Sequence, residues 1–246
     1  MPIFFLPPHA ITPPSVTVPP DLLPHLRDSL RIEAGEHVVF ADGQGHRYRT
    51  EITQSSKHGV SARILETWQE PTDRPPAIVL GQAVLKGEKM DWVIQKATEL
   101  GVSRIIPIQS RHTIVQLRPE RLESQLNRWQ RIALEAAQQS ERWRVPTVDP
   151  PQSLKEFVQQ PADHSLRLFL AERTGQQSLR TLPLPSSPDT QVIVLVGPEG
   201  GWSEEELHLA DQAGWLPVTL GPSILRAETA AVVTVGVLQY QLGALG

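Results

Sequence analysis

The chain has 246 residues, of which 39% are apolar and 20% charged, proportions typical of a soluble globular protein. It contains 0 cysteines, which excludes a disulfide framework, a thiolate zinc site and a cysteine nucleophile. No run approaches the roughly 18 apolar residues that span a bilayer, and the first residues lack a signal-peptide pattern, so we expect no membrane association and a cytoplasmic location.

The net charge of −4 is unevenly distributed along the chain. Residues 76–146 hold 11 Lys and Arg against 7 Asp and Glu, whereas the flanking segments are acidic. A local excess of positive charge attracts phosphate groups whatever the total charge is. The basic segment therefore indicates either a contact with nucleic acid or a solvated helix face.

The first quarter of the chain has the pattern of several short strands. His37–Ala41 is mainly apolar and is followed by Asp42–Gly45, a turn sequence typical of a β-hairpin. Residues 47–52 then alternate between polar and apolar side chains, as a half-buried strand does. A short helix is predicted over Leu23–Leu30, where leucines share one helical face. These elements predict a small barrel, and the proline-rich segment 69–76 predicts the linker that follows it.

From residue 77 onward, strands alternate with helices. The apolar runs of strand length are Ile78–Leu85, Arg104–Ile108, Leu166–Ala171, Val192–Val196 and Leu216–Leu220. The helical patterns are Gly87–Leu100, Pro119–Ser140, Ser203–Ala213 and Ala227–Leu242. This alternation predicts an α/β fold with a mostly parallel sheet covered by helices on both faces.

The most informative stretch joins a buried strand to a capped helix through the glycine-rich turn Gly197–Gly201. In open α/β sheets, ligands bind at the carboxyl ends of strands, and glycines there let the backbone approach a ligand closely. A phosphate loop is excluded because the Gly-Lys-Ser/Thr ending is missing and because Glu204, Glu205 and Glu206 open the following helix. The turn therefore predicts a site for a neutral or cationic ligand, the alternative being a tight turn without a ligand.

A second strand, glycine turn and helix follow over Leu220–Ala231. Two such turns at the ends of two strands predict opposite walls of one pocket. Arg226 and Glu228 lie at the start of a long helix that is otherwise apolar. They are therefore candidates for chemistry, the alternative being a helix cap with a local ion pair.

Other chemistries have less support in the sequence. The 8 histidines include no His-x-x-x-His or His-x-His pair, so we predict no metal site. No Gly-x-Ser-x-Gly motif marks a hydrolase. His112 follows a strand, beside Arg111, and we interpret it as a surface histidine rather than a ligand contact.

Four stretches, in the same order, resemble the ribosomal RNA small subunit methyltransferase E family, whose members are uridine-N3 methyltransferases of the knotted SPOUT class. Two of them are the glycine loops, Gly197–Gly201 and Leu220–Ala230. The third is the helical stretch Lys86–Val102, and the fourth is the N-terminal pattern from His25 to Gly43. The resemblance covers nearly the whole chain.

The resemblance implies a PUA-like β-barrel RNA-binding domain over residues 1–72 and a SPOUT-type α/β domain over residues 73–246. The C-terminal part of the second domain would form a trefoil knot, an exception to the rule that chains avoid knots. The resemblance also implies S-adenosylmethionine as the cofactor, and a homodimer with each active site near the subunit interface. The implied substrate is a uridine in the decoding region of small-subunit (16S) ribosomal RNA, either free or within the small ribosomal subunit.

The resemblance, together with the chemistry of uridine methylation, points to particular residues of this chain. The residues expected to hold the cofactor are Leu195, Val196, Gly197, Glu199, Gly200, Gly201, Leu220, Gly221, Ile224 and Leu225. Arg226 is the candidate cation for negative charge that develops on the base, and Glu228 is the candidate for orienting Arg226 or accepting the N3 proton. The basic residues expected to contact RNA are Arg27, Arg31, Lys86, Lys89, Arg111 and Arg142.

The chain departs from the family pattern late in the long helix. Gln138 stands where the family commonly has glutamate, and Glu141 stands where it often has glycine. Two alternatives stay open: a knotted methyltransferase that acts on ribose 2′-oxygen, and a ribosome assembly factor that binds the cofactor without turnover. The motif order and the N-terminal domain disfavour the first, whereas Gln138 leaves the second open.

Overall fold

The structure, a computed structural model, describes residues 3–20, 22–23, 32–56, 59–115, 119–161, 163–171 and 177–245. The chain forms two compact units: Met1–Thr72 with Ala137–Val145, and Asp73–Ala136 with Pro146–Gly246. The predicted domain boundary also follows residue 72, but the sequence assigned residues 137–145 to the second domain. The helix predicted over Leu23–Leu30 lies almost entirely outside the described residues.

The described part of the first unit contains a six-stranded sheet. Its strands are β1 (Ile3–Phe5), β2 (Ile11–Thr12), β3 (Ser15–Thr17), β4 (His37–Ala41), β5 (His46–Ser56) and β6 (Gly59–Gln69). The spatial order is β1-β4-β5-β6-β3-β2, with β1 and β4 parallel and the remaining neighbours antiparallel. The predicted hairpin turn joins β4 to β5, and the apolar side chains of Phe40 and Ile52 are buried in the core of this unit.

The segment Ala137–Val145 is attached to the first unit by polar and aromatic contacts. The Gln138 side-chain oxygen accepts a hydrogen bond from the backbone N–H of Phe5 at 3.2 Å. The Arg47 guanidinium lies 3.8 Å from the centre of the Trp143 ring, an attractive cation–π arrangement. Gln138, which departs from the family pattern, therefore has a structural contact within the first unit.

The second unit contains an eight-stranded parallel sheet among its described residues. Its strands are β7 (Ala77–Ala83), β8 (Arg104–Gln109), β9 (Thr147–Val148), β10 (Gln152–Ser153), β11 (Ser165–Leu170), β12 (Gln177–Ser178), β13 (Gln191–Val196) and β14 (Leu216–Thr219). The spatial order is β10-β8-β7-β13-β11-β14-β12, with β9 paired to β8. The helices are α1 (Lys89–Glu99), α2 (Pro119–Gln139), α3 (Leu154–Val158), α4 (Glu204–Gln212) and α5 (Ala227–Gln241).

Helices cover both faces of this sheet, as the sequence predicted. Successive residues of a strand point to opposite faces, so Ile78 and Val79 of β7 belong to different core clusters. Ile78 packs with apolar residues of α1, α2 and α5, whereas Val79 packs with those of α3 and α4. The strands β7 and β13 are almost wholly buried, which explains their continuous apolar runs.

The topology brings three strand ends together. Strand β11 pairs in parallel with β13 on one side and with β14 on the other. Because parallel strands end at the same edge of a sheet, the ends of β11, β13 and β14 are neighbours, and so are the two turns that follow β13 and β14. Both glycine-rich turns are thus placed at one edge of the sheet.

Candidate functional site

A cavity of about 710 Å³ lies in the second unit, at the ends of β11, β13 and β14. Residues of both glycine loops line it, together with the end of β11 and the start of α5. Nine of the ten residues predicted to hold a cofactor line this cavity: Val196, Gly197, Glu199, Gly200, Gly201, Leu220, Gly221, Ile224 and Leu225. The tenth, Leu195, is fully buried and packs in the core on the α3 and α4 side of the sheet.

The first glycine loop is held in place at its end. Gly201 has a φ of 69°, a left-handed conformation that favours glycine. A Cβ atom at Gly200 would lie 3.0 Å from the Cβ of His112, whose Nδ1 is 3.1 Å from the carbonyl oxygen of Gly201. The predicted capping box is present, since Ser203 and Glu206 each receive a hydrogen bond from the other's backbone N–H. His112 is exposed, as predicted, yet it also contacts the loop.

Trp202 is a cavity residue that the sequence analysis did not single out. Its ring stacks on Phe169 with centroids 5.3 Å apart, and its indole N–H donates to the Leu170 carbonyl at 3.0 Å. A Cβ atom at Gly197 would lie 3.1 Å from the Trp202 ring. The indole is therefore fixed between β11 and the first glycine loop. The signal that could have found it is its position directly after that loop.

Four charged side chains lie in or beside the cavity: Lys89, Glu199, Arg226 and Glu228. Lys89 Nζ lies 3.0 Å from Glu199 Oε1 and 3.8 Å from Glu228 Oε2. Arg226, the N-cap residue of α5, lines the cavity, and its side chain has no hydrogen-bond or ion-pair partner among the residues that the structure describes. Glu228 is therefore paired with Lys89; the sequence predicted that it would either orient Arg226 or accept the N3 proton, and both roles stay predictions.

The carboxylate of Glu199 is stabilised in its charged form. Burial raises the pKa of this carboxyl group, but hydrogen bonds from its own backbone N–H, from Lys89 and from the backbone of Lys86 lower it. The net result is a pKa for Glu199 below its ordinary value of 4.5. Glu199 is therefore ionised at neutral pH, where its carboxylate lies beside Lys89 and next to the first glycine loop.

The residues predicted to contact RNA are in different surroundings. Lys86 is exposed, and Arg111 is exposed and paired with Glu205 of α4 at 2.5 Å. Arg142 is half-buried in the first unit, and burial lowers its pKa to about 10, so it remains charged at neutral pH. Lys89 is in the cavity wall. Arg27 and Arg31 lie outside the described residues.

The described residues contain no group of three or more His, Asp or Glu side chains that could hold a metal ion. Within the same part of the chain, no helix is both long enough and apolar enough to cross a membrane.

Family models that match both parts of the chain identify the class of this protein as an RNA methyltransferase. A family model described as the RNA methyltransferase domain matches residues 72–239, and one described as the RNA methyltransferase PUA domain matches residues 22–65. The fold class predicted from the sequence is thereby confirmed as a SPOUT-type α/β domain preceded by a PUA-like domain.

Comparison with known proteins narrows the class to one family. The chain is 35% identical over 227 residues to the ribosomal RNA small subunit methyltransferase E of Synechocystis sp., covering 92% of this chain and 73% of the relative. It is 29% identical over 236 residues to the Bacillus subtilis protein of the same name, covering 93% and 91%. The crystal structure of the Neisseria gonorrhoeae protein of that name, bound to S-adenosyl methionine, has a TM-score of 0.87 and 33% identity, covering 98% of both chains. The chain belongs to the ribosomal RNA small subunit methyltransferase E family.

Proposed function

We propose that this protein uses S-adenosylmethionine to methylate N3 of a uridine in the decoding region of small-subunit ribosomal RNA. The proposal rests on one observation: in a chain that belongs to this family, both glycine loops line a single cavity. Its volume of about 710 Å³ suits a small-molecule cofactor.

The residues around the cavity fit S-adenosylmethionine. The glycines of the two loops leave the backbone open to a ligand, and Glu199 supplies a negative charge near the cavity, where a positive sulfonium is favoured. The phosphate-binding lysine of a nucleotide site is missing from the first loop. When bound, the cofactor supplies a methyl group to a nucleophile.

Arg226 is the residue that we propose for the chemistry at the base. Uridine N3 is a poor nucleophile until its proton leaves, and the resulting negative charge needs a nearby cation. Arg226 lines the cavity, and its guanidinium has no partner among the described residues. We therefore assign to Arg226 the stabilisation of the uracil anion. Methyl transfer is an in-line displacement, so the protein also has to hold uridine N3 in line with the methyl group.

Exposed basic residues support the RNA contact. Lys86 is exposed, and the ion pair between Arg111 and Glu205 joins two exposed side chains, so a phosphate group can replace the carboxylate at little cost. We propose that these two residues, with Arg142, Arg27 and Arg31, position the RNA through its phosphates. Replacing Lys86 or Arg111 with Glu should weaken RNA binding and reduce its salt dependence, and an unchanged salt slope would contradict the assignment.

We further propose that the protein acts as a homodimer through α5. Most residues of this helix are apolar and they are not confined to one side, a composition typical of a helix that is largely buried. Nevertheless, Val233 and Tyr240, which lie on one side of α5 at a spacing of seven residues, are 39% and 69% exposed. A second copy of the chain would cover this apolar stripe, which would otherwise face water.

Two further features implied by the family remain proposals. The strand order supports a trefoil knot, because β13 lies between β7 and β11 whereas the later strand β14 lies on the far side of β11. A cytoplasmic location follows from the proposed substrate, since ribosomal subunits are cytoplasmic.

The test of the proposed function is transfer of a labelled methyl group from S-adenosylmethionine to small ribosomal subunits that lack the modification. Label in the small-subunit RNA is the expected result, and large subunits are the matched control. Cofactor binding without transfer would instead favour the non-catalytic assembly factor. Absence of both binding and transfer would refute the proposal.

A further inference from the structure

We propose that Lys89 is a positioning residue that holds the acidic side of the cofactor cavity together, rather than a contact to RNA. The proposal rests on the proposed function, because it assigns a role in the same cofactor site. It changes the interpretation of a lysine that the sequence placed with the RNA-binding residues.

The geometry links three elements through one ammonium group. Lys89 is the first residue of α1, Glu199 belongs to the first glycine loop, and Glu228 lies in the first turn of α5. The ammonium nitrogen is 3.0 Å from a carboxylate oxygen of Glu199 and 3.8 Å from one of Glu228. The two carboxylates are thus drawn towards one cation instead of repelling each other.

The burial of the two acids makes this cation necessary. The side chains of Glu199 and Glu228 are only 23% and 14% exposed, and Lys89 is 39% exposed. The Oε2 atom of Glu228 is inaccessible to water and has no hydrogen-bond partner among the described residues. A largely buried carboxylate without a counter-charge is costly, and the Lys89 ammonium lies 3.8 Å from this one.

The same contacts argue against an RNA role for Lys89. A phosphate group could bind this ammonium only in competition with two nearby carboxylates, which repel phosphate. Lys86, three residues earlier, is exposed, and its backbone N–H contacts Glu199 at 3.4 Å. A substitution of the Lys86 side chain preserves that backbone contact, so Lys86 is a matched control for Lys89.

The experiment compares the full-length wild type with Lys89→Met, Lys89→Arg and Lys86→Met. Calorimetry measures the affinity for S-adenosylmethionine, and filter binding measures RNA affinity over a range of salt concentrations. We expect Lys89→Met to weaken cofactor affinity about fivefold or more and to leave the salt slope of RNA binding unchanged. Lys89→Arg, which keeps the charge, should recover most of the affinity. Lys86→Met should reduce the salt slope of RNA binding by about the amount that one phosphate contact contributes, and it should leave cofactor affinity unchanged.

Two results would overturn the role of Lys89: unchanged cofactor affinity in Lys89→Met, or a salt slope that falls as it does in Lys86→Met. If Lys89→Met does not fold, Lys89→Gln carries the test, since it removes the charge but keeps a polar side chain; it should weaken cofactor affinity whereas Lys89→Arg does not, and unchanged affinity would overturn the proposal. A wild type that binds no S-adenosylmethionine would refute the proposed function itself, and that result is seen before any variant is compared.

Discussion

The close contact between Gly197 and Trp202 makes Gly197→Ala an informative substitution. The added Cβ would lie 3.1 Å from Cε2, 3.2 Å from Nε1 and 3.5 Å from Cδ2 of the indole. Ordinary carbon contacts are about 3.5–4.0 Å, so either the ring or the loop has to move by a few tenths of an ångström.

The surroundings of Trp202 prevent an inexpensive movement. Its N–H donates to the Leu170 carbonyl at 3.0 Å, and its ring stacks on Phe169 at 5.3 Å. Overpacking at such a site costs about 1–3 kcal/mol. We therefore expect Gly197→Ala to lower the free energy of unfolding by that amount and to weaken cofactor binding, because Gly197 lines the cavity.

The assay is urea unfolding together with calorimetric titration of S-adenosylmethionine. Gly59→Ala is the control, because a Cβ at Gly59 meets no atom within 4 Å, and it should change stability by less than about 0.5 kcal/mol. In a Trp202→Leu background, the cost of Gly197→Ala should largely disappear. An equal cost in both backgrounds would refute the argument that the indole limits the space at Gly197.

Three further predictions test the site and the proposed assembly. Arg226→Ala should lower kcat by about 100-fold or more while the Kd for the cofactor stays within about twofold; normal turnover would remove Arg226 from the mechanism. The pKa of Glu199 is lowered, so its ionised form stabilises the fold above the ordinary value of 4.5, and this contribution is lost as the pH falls through the lowered pKa. Glu199→Gln should thus be about 1 kcal/mol less stable than the wild type at neutral pH, and the difference should vanish in acid; a pH-independent difference in urea unfolding would contradict this assignment. Val233→Glu should convert a dimer into a monomer in sedimentation experiments, because it introduces a charge into the apolar stripe; an unchanged dimer would place the interface elsewhere.

The longer elements of the fold could be predicted from hydrophobic periodicity. The predicted helix over Pro119–Ser140 is observed as Pro119–Gln139, and the strand predicted over Val192–Val196 as Gln191–Val196. Strands β9 and β10 were missed because two residues contain no period, and the single turn of α3 is also too short to show one.

The candidate site was only partly predictable. The glycine loops can be recognised from the local sequence, since each follows an apolar run and precedes a helix. The contributions of Leu170 and Trp202 depend on β11 lying between β13 and β14, and strand order is a property of tertiary structure. The contact between Lys89 and Glu228 joins residues far apart in sequence, and Lys89 was assigned to RNA from its place in the basic segment together with the family resemblance.

The central claim is that this cavity directs a methyl group to uridine N3. Its most direct test is digestion of small-subunit RNA after reaction with labelled S-adenosylmethionine, followed by identification of the labelled nucleoside. The account predicts N3-methyluridine, formed by the wild type and lost in Arg226→Ala. A labelled 2′-O-methylated nucleoside would contradict the claim about the target atom.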